Sequence, residues 1–368
     1  MASETLAKLM EGMRVGGLDA LALNPGPALY YLTGLPFHLM ERPTVLLLRL
    51  DAEPVLVLPA LEMAKLQHAA IPLRGISYGD NPAGWQAAFD QAASQLGLDG
   101  TTVGVEPARL RVLELRYLET AAPAARFVSA EAILAEMRLC KNESEIAAMR
   151  AAVHIAEKAL EETLPAIRIG RSEREIANDL VMNLLRGGSE AELPFFPIVS
   201  AGPNSANPHA SPSERKLQAG DLLVIDWGAA HAGYFADLTR TFAVGDVEEE
   251  YRVIHELVQQ ANAAGRAAGK PGIPAGDVDR AARGVIAAAG YGACFTHRTG
   301  HGLGMEAHEP PYMFAENHLI LTPGMTYTVE PGIYLPERGG VRIEDNIVVT
   351  PDGCESLSTM TRGLRRVG

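Results

Sequence analysis

One stretch decides the fold of this 368-residue chain. It reads Leu222-Leu-Val-Ile-Asp226-Trp-Gly-Ala-Ala-His231-Ala-Gly-Tyr-Phe-Ala-Asp237-Leu-Thr-Arg-Thr-Phe242. The first apolar run predicts a buried strand, and the alternating second run predicts its antiparallel partner after a glycine-containing turn. A turn centred near His231 and Ala232 places Asp226 directly opposite Asp237.

Two carboxylates that face each other across an apolar hairpin repel one another. Directly paired residues of an antiparallel sheet have Cβ atoms roughly 5 Å apart, and like charges at that distance are destabilising. Burial adds the cost of removing each charge from water. Asp226 and Asp237 therefore require protons or a bound cation.

A second predicted hairpin repeats this arrangement. Its strands read Met325-Thr-Tyr-Thr-Val-Glu330 and Val341-Arg-Ile-Glu344-Asp-Asn-Ile347. Alternation places the threonines of the first strand on the face of Glu330, and Arg342 and Asn346 on the face of Glu344. The turn at residues 336–340 lies midway, so Glu330 faces Glu344. Four inward carboxylates from two hairpins favour two divalent ions over one.

The ligand types indicate which metals suit such a site. Oxygen-rich sites favour Mn²⁺, and a histidine ligand also admits Co²⁺, Fe²⁺ or Zn²⁺. We expect that histidine to be His301, because the glycines around it allow the backbone to approach a crowded site. His308, His297 and His209 are further candidates, His209 lying in a turn-rich segment typical of a loop over a site. The other histidines lack such a context and are expected to be solvated or packed in the core: His38, His68, His154, His231, His255 and His318.

Composition excludes several other functions. The formal net charge is 32 − 45 = −13, which argues against nucleic acid because phosphates need a basic surface. The odd number of cysteines, Cys140, Cys294 and Cys354, and the lack of a C-x-x-C spacing indicate reduced thiols rather than a disulfide framework. No signal segment or membrane-spanning run is evident. These features predict a cytoplasmic enzyme.

The pattern of elements predicts two domains. Short apolar runs alternate with helical patterns in the N-terminal third, which is typical of an α/β domain. Strands are predicted at Ala20–Leu23, 45–50, Val55–Pro59 and 103–105, and helices at 4–13, Ala60–His68, 83–96 and 107–119. The run Ala121-Ala-Pro-Ala-Ala125 interrupts this pattern and predicts domains at 1–128 and 129–368.

Helices and hairpins alternate in the second predicted domain. Capping boxes that pair Asn142 with Glu145 and Ser172 with Glu175 predict the starts of two helices. Further helices are predicted at 248–268 and 277–289, each pair of helices preceding one hairpin. This order predicts an α+β domain.

The motifs of this second domain resemble those of the pita-bread metallopeptidases over roughly residues 135–349. They are Ile225-Asp226-Trp-Gly, Asp237-Leu-Thr-Arg-Thr241, Gly300-His301-Gly-Leu-Gly, Thr328-Val-Glu330-Pro-Gly and Gly340-Val-Arg-Ile-Glu344. The first domain is similar to the N-terminal domain of the creatinase and prolidase branch, through Leu18-Asp-Ala-Leu-Ala-Leu-Asn24 and Tyr30-Tyr-Leu-Thr-Gly34. The resemblance implies an α/β domain of that type, with roles in oligomerisation and access to the substrate pocket, followed by an α+β pita-bread catalytic domain.

The resemblance also implies a role for each site residue. Two divalent ions, Mn²⁺ first, would be held by the five ligands Asp226, Asp237, His301, Glu330 and Glu344, with Asp237 and Glu344 bridging. Glu330 would carry the proton from the attacking water to the leaving nitrogen, His308 would bind the tetrahedral intermediate and His209 the substrate near its proline. The residues expected to support the ligands or line the substrate pocket are Thr239, Arg342, His297 and Tyr312.

The resemblance leaves the substrate open between two peptidases. A dipeptidase that cleaves before proline needs a cation for the free carboxylate, and many prolidases carry an arginine where this chain has Tyr312. Arg42, Arg338 or Arg342 could substitute, and the short chain favours a prolidase over an aminopeptidase P acting on longer peptides. Methionine aminopeptidases lack the first domain, creatinase lacks the metal ligands, and a binding-only relative usually loses ligands that are all present here. Family habit favours a homodimer.

Overall fold

The computed structural model describes residues 2–368. The chain divides into two compact units, one ending at Arg138 and the other running Leu139–Gly368. The observed boundary lies further along the chain than the boundary expected between residues 128 and 129. The intervening helix, Glu131–Leu139, buries Leu134 in a core of the first unit.

The first unit is an α/β structure around one mixed sheet. Its elements are α1 (Ala2–Val15), β1 (Ala20–Leu23), α2 (Pro27–Thr33), β2 (Val45–Arg49), β3 (Val55–Pro59), β4 (Arg74–Tyr78), α3 (Trp85–Leu96), β5 (Thr102–Val105), α4 (Val112–Ala121), β6 (Arg126–Ser129) and α5 (Glu131–Leu139). The strand order is β4-β3-β2-β1-β5-β6. In β2, Val45 and Leu47 pack into one core while Leu46 and Leu48 pack into another. The sheet is therefore buried on both faces, which explains its continuous apolar strands.

The predicted elements of this unit agree with the structure in part. The four predicted strands form, whereas α2, α5, β4 and β6 were not predicted. Ala60–His68 is a 3₁₀ helix rather than an α-helix; it has no fully buried residue, and Leu66 packs partly buried against a core of the unit. The predicted helices 83–96 and 107–119 begin later, at Trp85 and Val112.

The second unit combines four long helices with β-structure. Its elements are α6 (Glu143–Thr163), α7 (Glu173–Arg186), β7 (Ile198–Ala201), β8 (Leu222–Trp227), β9 (Ala230–His231), β10 (Tyr234–Phe235), β11 (Leu238–Val244), α8 (Glu249–Ala268), α9 (Gly276–Ala288), β12 (Gly300–Gly302), β13 (Glu309–Met313), β14 (Thr326–Val329), β15 (Gly332–Leu335), β16 (Gly339–Arg342), β17 (Asp345–Thr350), β18 (Gly353–Ser356) and β19 (Arg365–Val367). Both predicted capping boxes form, at Asn142 with Glu145 and at Ser172 with Glu175. None of the described helices is long and apolar enough to span a bilayer.

The first hairpin differs from its predicted register. Its turn is centred between Ala232 and Gly233, because His231 pairs with Tyr234. Asp226 therefore pairs with Thr239, and the prediction that it lies directly opposite Asp237 was wrong. A turn displaced by one residue moves each partner by two, which keeps Asp237 on the same face as a diagonal neighbour.

The second hairpin has the predicted register. Val329 pairs with Asp345 and Gly332 pairs with Arg342, which brackets Glu330 and Glu344 as facing positions. Sheet β19-β11-β8-β7 contains the first hairpin, and sheet β13-β12-β14-β17-β18 contains β14 and β17 of the second. A bridge between Thr239 and Glu344 joins the two hairpins and brings their acidic residues together.

A buried histidine gives the second unit a testable pH dependence. His255 on α8 is 3% exposed, and burial lowers its pKa from 6.5 to about 4. The unfolded chain takes up this proton near pH 6.5, so the free energy of unfolding falls as the pH drops from 6.5 towards 4, by about 3 kcal/mol at most. We expect His255→Leu to remove this part of the slope in denaturant unfolding curves. The matched change at exposed His154 should retain it, and an identical slope in both variants would contradict the assignment.

Candidate metal centre

The structure brings the five predicted ligands together in the second unit. Asp226 lies in β8 and Asp237 immediately precedes β11, while His301 lies in β12. Glu330 follows β14 and Glu344 precedes β17. All except Glu330 are buried, and Glu330 is partly buried.

The donor atoms form overlapping groups rather than one ring. Ligand atoms of Asp226, Asp237 and Glu344 lie within 4.8 Å of one another, as do those of His301, Glu330 and Glu344. Glu344 belongs to both groups. His301 Nε2 lies 3.2 Å from Glu330 Oε1 and 3.7 Å from Asp237 Oδ2. Two adjacent ions that share Glu344 suit this arrangement better than one.

The pKa values of Asp237 and Glu344 show that nearby positive charge does not balance these two carboxylates. Burial, and then the carboxylates of Asp226 and Glu330, raise the pKa of Asp237 well above its usual range. Burial and Asp237 do the same to the pKa of Glu344. Asp226 Oδ1 is a buried oxygen without a hydrogen-bond partner. An orphaned acceptor among mutually repelling carboxylates fits a cation, and one nitrogen with several oxygens fits Mn²⁺ and similar ions.

Two predicted supporting residues hold the ligands in place. Arg342 donates to Asp226 Oδ2 at 2.5 Å, to Thr239 Oγ1 at 3.1 Å and to Tyr334 Oη at 3.0 Å. Thr239 Oγ1 donates to Glu344 Oε2 at 2.6 Å. These contacts couple a ligand of one hairpin to a ligand of the other. They support Arg342 as an orienting residue, and its expected substrate contact stays a prediction.

Sequence reasoning did not assign two further supports. Thr328 Oγ1 donates to Glu330 Oε1 at 3.1 Å. Asn346 Oδ1 accepts from the backbone N–H of Asp237 at 3.1 Å, and its amide donates to the carbonyl of the same residue. Their signal was present, because strand alternation places Thr328 with Glu330 and Asn346 with Glu344.

Of the three further candidate histidines, His308 lies at this centre, while His297 and His209 are connected to it through Tyr334, Pro208 and Arg342. The rings of His301 and His308 lie 3.9 Å apart between centroids, and His308 also offers a donor atom within 4.8 Å of Asp237 and His301. His297 Nε2 lies 2.8 Å from Tyr334 Oη, which links it through Tyr334 to Arg342. His209 is exposed, beside Pro208, whose carbonyl accepts from Arg342 at 3.2 Å.

Tyr312 lies in β13, beside the strand β12 that carries His301. It pairs with His301 across β12 and β13. The guanidinium of Arg298 lies over the ring of Tyr312, 4.3 Å from the ring centroid, in a cation–π contact. Sequence reasoning named Tyr312 and missed Arg298, whose position in the sequence immediately after His297 gives no sign of this stacking.

Comparison with known proteins identifies the family. The chain matches Metallopeptidase family M24 over residues 147–351 and the Creatinase/Prolidase N-terminal domain over residues 6–140. It belongs to the M24 metallopeptidases. The predicted pita-bread architecture, with its creatinase-type first domain, is thereby confirmed, and the chain is a peptidase.

Similar proteins span the whole chain. An Xaa-Pro dipeptidase from Lactobacillus helveticus is 34% identical over 98% of both chains. A solved dipeptidase from Pyrococcus horikoshii has 36% identity and a TM-score of 0.93, covering 99% of this chain and 100% of that one. A solved prolidase from Thermococcus sibiricus has 32% identity and a TM-score of 0.95, covering 100% and 99%. An X-Pro aminopeptidase from Thermotoga maritima is also similar, at 29% identity and a TM-score of 0.85, covering 98% and 99%.

Neutralising one carboxylate should stabilise the metal-free protein. We expect Asp237→Asn to raise the thermal midpoint in chelator, because it removes one of the repelling buried charges. Mn²⁺ should raise the midpoint of the native chain, since a ligand that binds only the folded state stabilises it, and should have little effect on the variant. Melting curves with Mn²⁺ and with chelator measure both effects. The exposed Asp246→Asn control should respond like the native chain, and equal Mn²⁺ stabilisation of Asp237→Asn would contradict the assignment.

The hydroxyl that orients Glu344 offers a second test. We expect Thr239→Val to weaken Mn²⁺ binding about tenfold or more, because outer hydrogen bonds orient ligands and tune their affinity. Thr241 on the same strand face is a matched control, since its hydroxyl donates to the carbonyl of Arg342 at 2.9 Å and contacts no ligand. Isothermal titration calorimetry of the metal-free variants with Mn²⁺ measures the affinity of each variant. Equal losses in Thr239→Val and Thr241→Val would rule out a specific role for Thr239.

Proposed function

We propose that this peptidase hydrolyses the peptide bond in front of proline, with Xaa-Pro dipeptides as its preferred substrates. The observation that carries the proposal is the group of four carboxylates and His301, three of the carboxylates and His301 being buried, with the tilted ring of His308 3.9 Å from that of His301. Full-length similarity to an Xaa-Pro dipeptidase and to a prolidase supports the choice of substrate.

The five donors would hold two divalent ions. Such ions supply Lewis acidity for a hydrolytic water and for the scissile carbonyl. We propose Asp226 for one ion, Asp237 and Glu344 for both, and His301 and Glu330 to complete the two coordination shells. The overlapping donor groups support this division.

Glu330 is the proposed proton carrier. Burial raises its pKa, but the hydrogen bond and charge of His301 outweigh burial and bring the pKa to about 2. The carboxylate is therefore ionised at neutral pH and can accept a proton. Its Oε1 is held by Thr328 and His301, and Oε2 is without these contacts. Oε2 is the atom we assign to moving the proton from water to the leaving nitrogen.

The nearby histidines would act on the substrate. His308, on the ring of His301, is placed to donate to the oxyanion of the tetrahedral intermediate. We assign His209 to the substrate near its proline, because its loop reaches the centre through Pro208 and Arg342. His297 is buried more deeply and bonded to Tyr334, so its contribution would be to the wall of the pocket.

The remaining features of the proposal derive from the family resemblance. We propose Mn²⁺ as the native metal, with Co²⁺, Zn²⁺ or Fe²⁺ as substitutes, and a homodimer as the assembly. The first domain would then contribute to dimerisation and to access to the pocket. The acidic charge of −13 and the three free cysteines support a cytoplasmic location.

One observation favours an aminopeptidase P instead. Tyr312 occupies the place where many prolidases carry an arginine for the substrate carboxylate. Without a cation at that place, a dipeptide gains no binding energy from its terminal carboxylate. A longer peptide is then bound as well as a dipeptide. The solved X-Pro aminopeptidase from Thermotoga maritima is a more distant neighbour than the prolidase, which supports the dipeptidase.

Hydrolysis of Ala-Pro against Ala-Pro-Ala by the Mn²⁺-loaded protein tests the proposal. We expect the dipeptide to be cleaved with the higher kcat/KM, and the Asp237→Ala variant to lose at least a hundredfold in rate, since the centre supplies most of the barrier reduction. Preference for the tripeptide would establish the aminopeptidase. If neither peptide is cleaved and the variant behaves like the native chain, Xaa-Pro hydrolysis is excluded.

A further inference from the structure

The partners of the basic residues show which cation can bind a substrate carboxylate. The three arginines suggested by sequence already hold carboxylates: Arg42 those of Glu41 and Asp80, Arg338 those of Glu248 and Glu250, and Arg342 that of Asp226. A guanidinium engaged in this way has few donors left for a substrate. The cation of a dipeptide site must therefore be sought elsewhere.

Arg298 differs from these three. Its side chain is partly buried, and within the described part of the chain no carboxylate lies within ion-pair distance of its guanidinium. Its ordered contact is with the face of Tyr312, 4.3 Å from the ring centroid. A guanidinium held over an aromatic face makes no hydrogen bond to that ring's carbons with its N–H donors, so these donors stay available to bind a planar carboxylate in a bidentate manner.

Several contacts fix the position of Arg298 relative to the metal centre. Tyr312 pairs across the sheet with the ligand His301. The carbonyl of Arg298 lies 2.8 Å from His297 Nδ1, and the next residue, Thr299, is held through its N–H by the carbonyl of Met313 at 2.9 Å. Directly paired residues of antiparallel strands direct their side chains to the same face of the sheet, so the ring of Tyr312 and the guanidinium over it lie on the face of His301.

This location suits the far end of a dipeptide. The free carboxylate of Xaa-Pro lies one residue past the scissile carbonyl, roughly 3.5 Å of extended chain. We propose that Arg298, supported on the ring of Tyr312, binds the substrate's terminal carboxylate and selects dipeptides. Arg298 and Tyr312 together replace the arginine that many prolidases carry at the position of Tyr312. This inference rests on the proposed Xaa-Pro hydrolysis.

Substrates with and without the carboxylate charge test the inference. For the Mn²⁺-loaded Arg298→Gln variant we expect the KM for Ala-Pro to rise roughly tenfold to a hundredfold, which corresponds to losing one charged hydrogen-bond pair. The kcat at saturating substrate should change by less than about threefold, because Arg298 contacts no reacting atom. The KM for Ala-Pro-amide should be nearly the same in the variant and the native chain. Arg298→Lys should recover part of the loss, since it keeps the charge without the bidentate fork.

Controls separate this inference from the proposed function. Arg280→Gln removes an exposed arginine that is paired with Asp277, and should leave both KM values unchanged. If the native protein cleaves neither Ala-Pro nor its amide, the proposed function fails before Arg298 is tested. If the native protein cleaves Ala-Pro but Arg298→Gln leaves its KM unchanged, or raises the KM of the amide by the same factor, the role of Arg298 is overturned. A melting curve of each variant confirms that it is folded.

Discussion

Repulsion among buried carboxylates is the constraint on which the second unit depends. Asp226, Asp237, Glu330 and Glu344 converge in a region from which water is largely excluded, where Arg342 pairs with Asp226 and the His301 imidazole lies 3.2 Å from Glu330 and 3.7 Å from Asp237. Burying such charges without compensation costs several kcal/mol for each ion. This free-energy cost arises where the two hairpins meet, and a divalent cation bound there would remove it.

Two adjacent residues show how differently the fold treats a carboxylate. Asp345 is fully buried, yet Arg240 and Arg362 contact it at 2.9 and 2.6 Å, and its pKa is lowered because their charges outweigh burial. The carboxylate of Glu344, on the opposite face of the strand, is not paired with an arginine of residues 2–368, and burial and Asp237 raise its pKa. Asp345 is thus neutralised by the chain itself, while Glu344 is held by Thr239 and left to a cation. Because successive residues of a strand point to opposite faces, Glu344 and Asp345 lie in different surroundings although they are neighbours in the sequence.

How much of this could be predicted from sequence depends on the physical origin of each feature. Alternation placed the four carboxylates on the inward faces of both hairpins, so their grouping was predicted even though the turn near Ala232 and Gly233 was misplaced by one residue. His301 was predicted from its glycine neighbours instead. Glu337 adopts a φ of 62° at the turn midway between Glu330 and Glu344, and there the predicted register held. Contacts between residues that share no periodicity, such as Arg298 on Tyr312, depend on the pairing of β12 with β13. Local patterns do not encode that pairing, so the cation beside the centre was missed.

Anomalous diffraction from crystals of the Mn²⁺-loaded protein, collected above the manganese absorption edge, tests most directly whether the two hairpins form a two-ion centre. We expect two peaks of comparable height, each within about 2.0–2.3 Å of its protein donors, with oxygens of Asp237 and Glu344 lying between them. A single peak, or a second peak whose donors lie outside these five residues, would contradict the two-ion centre.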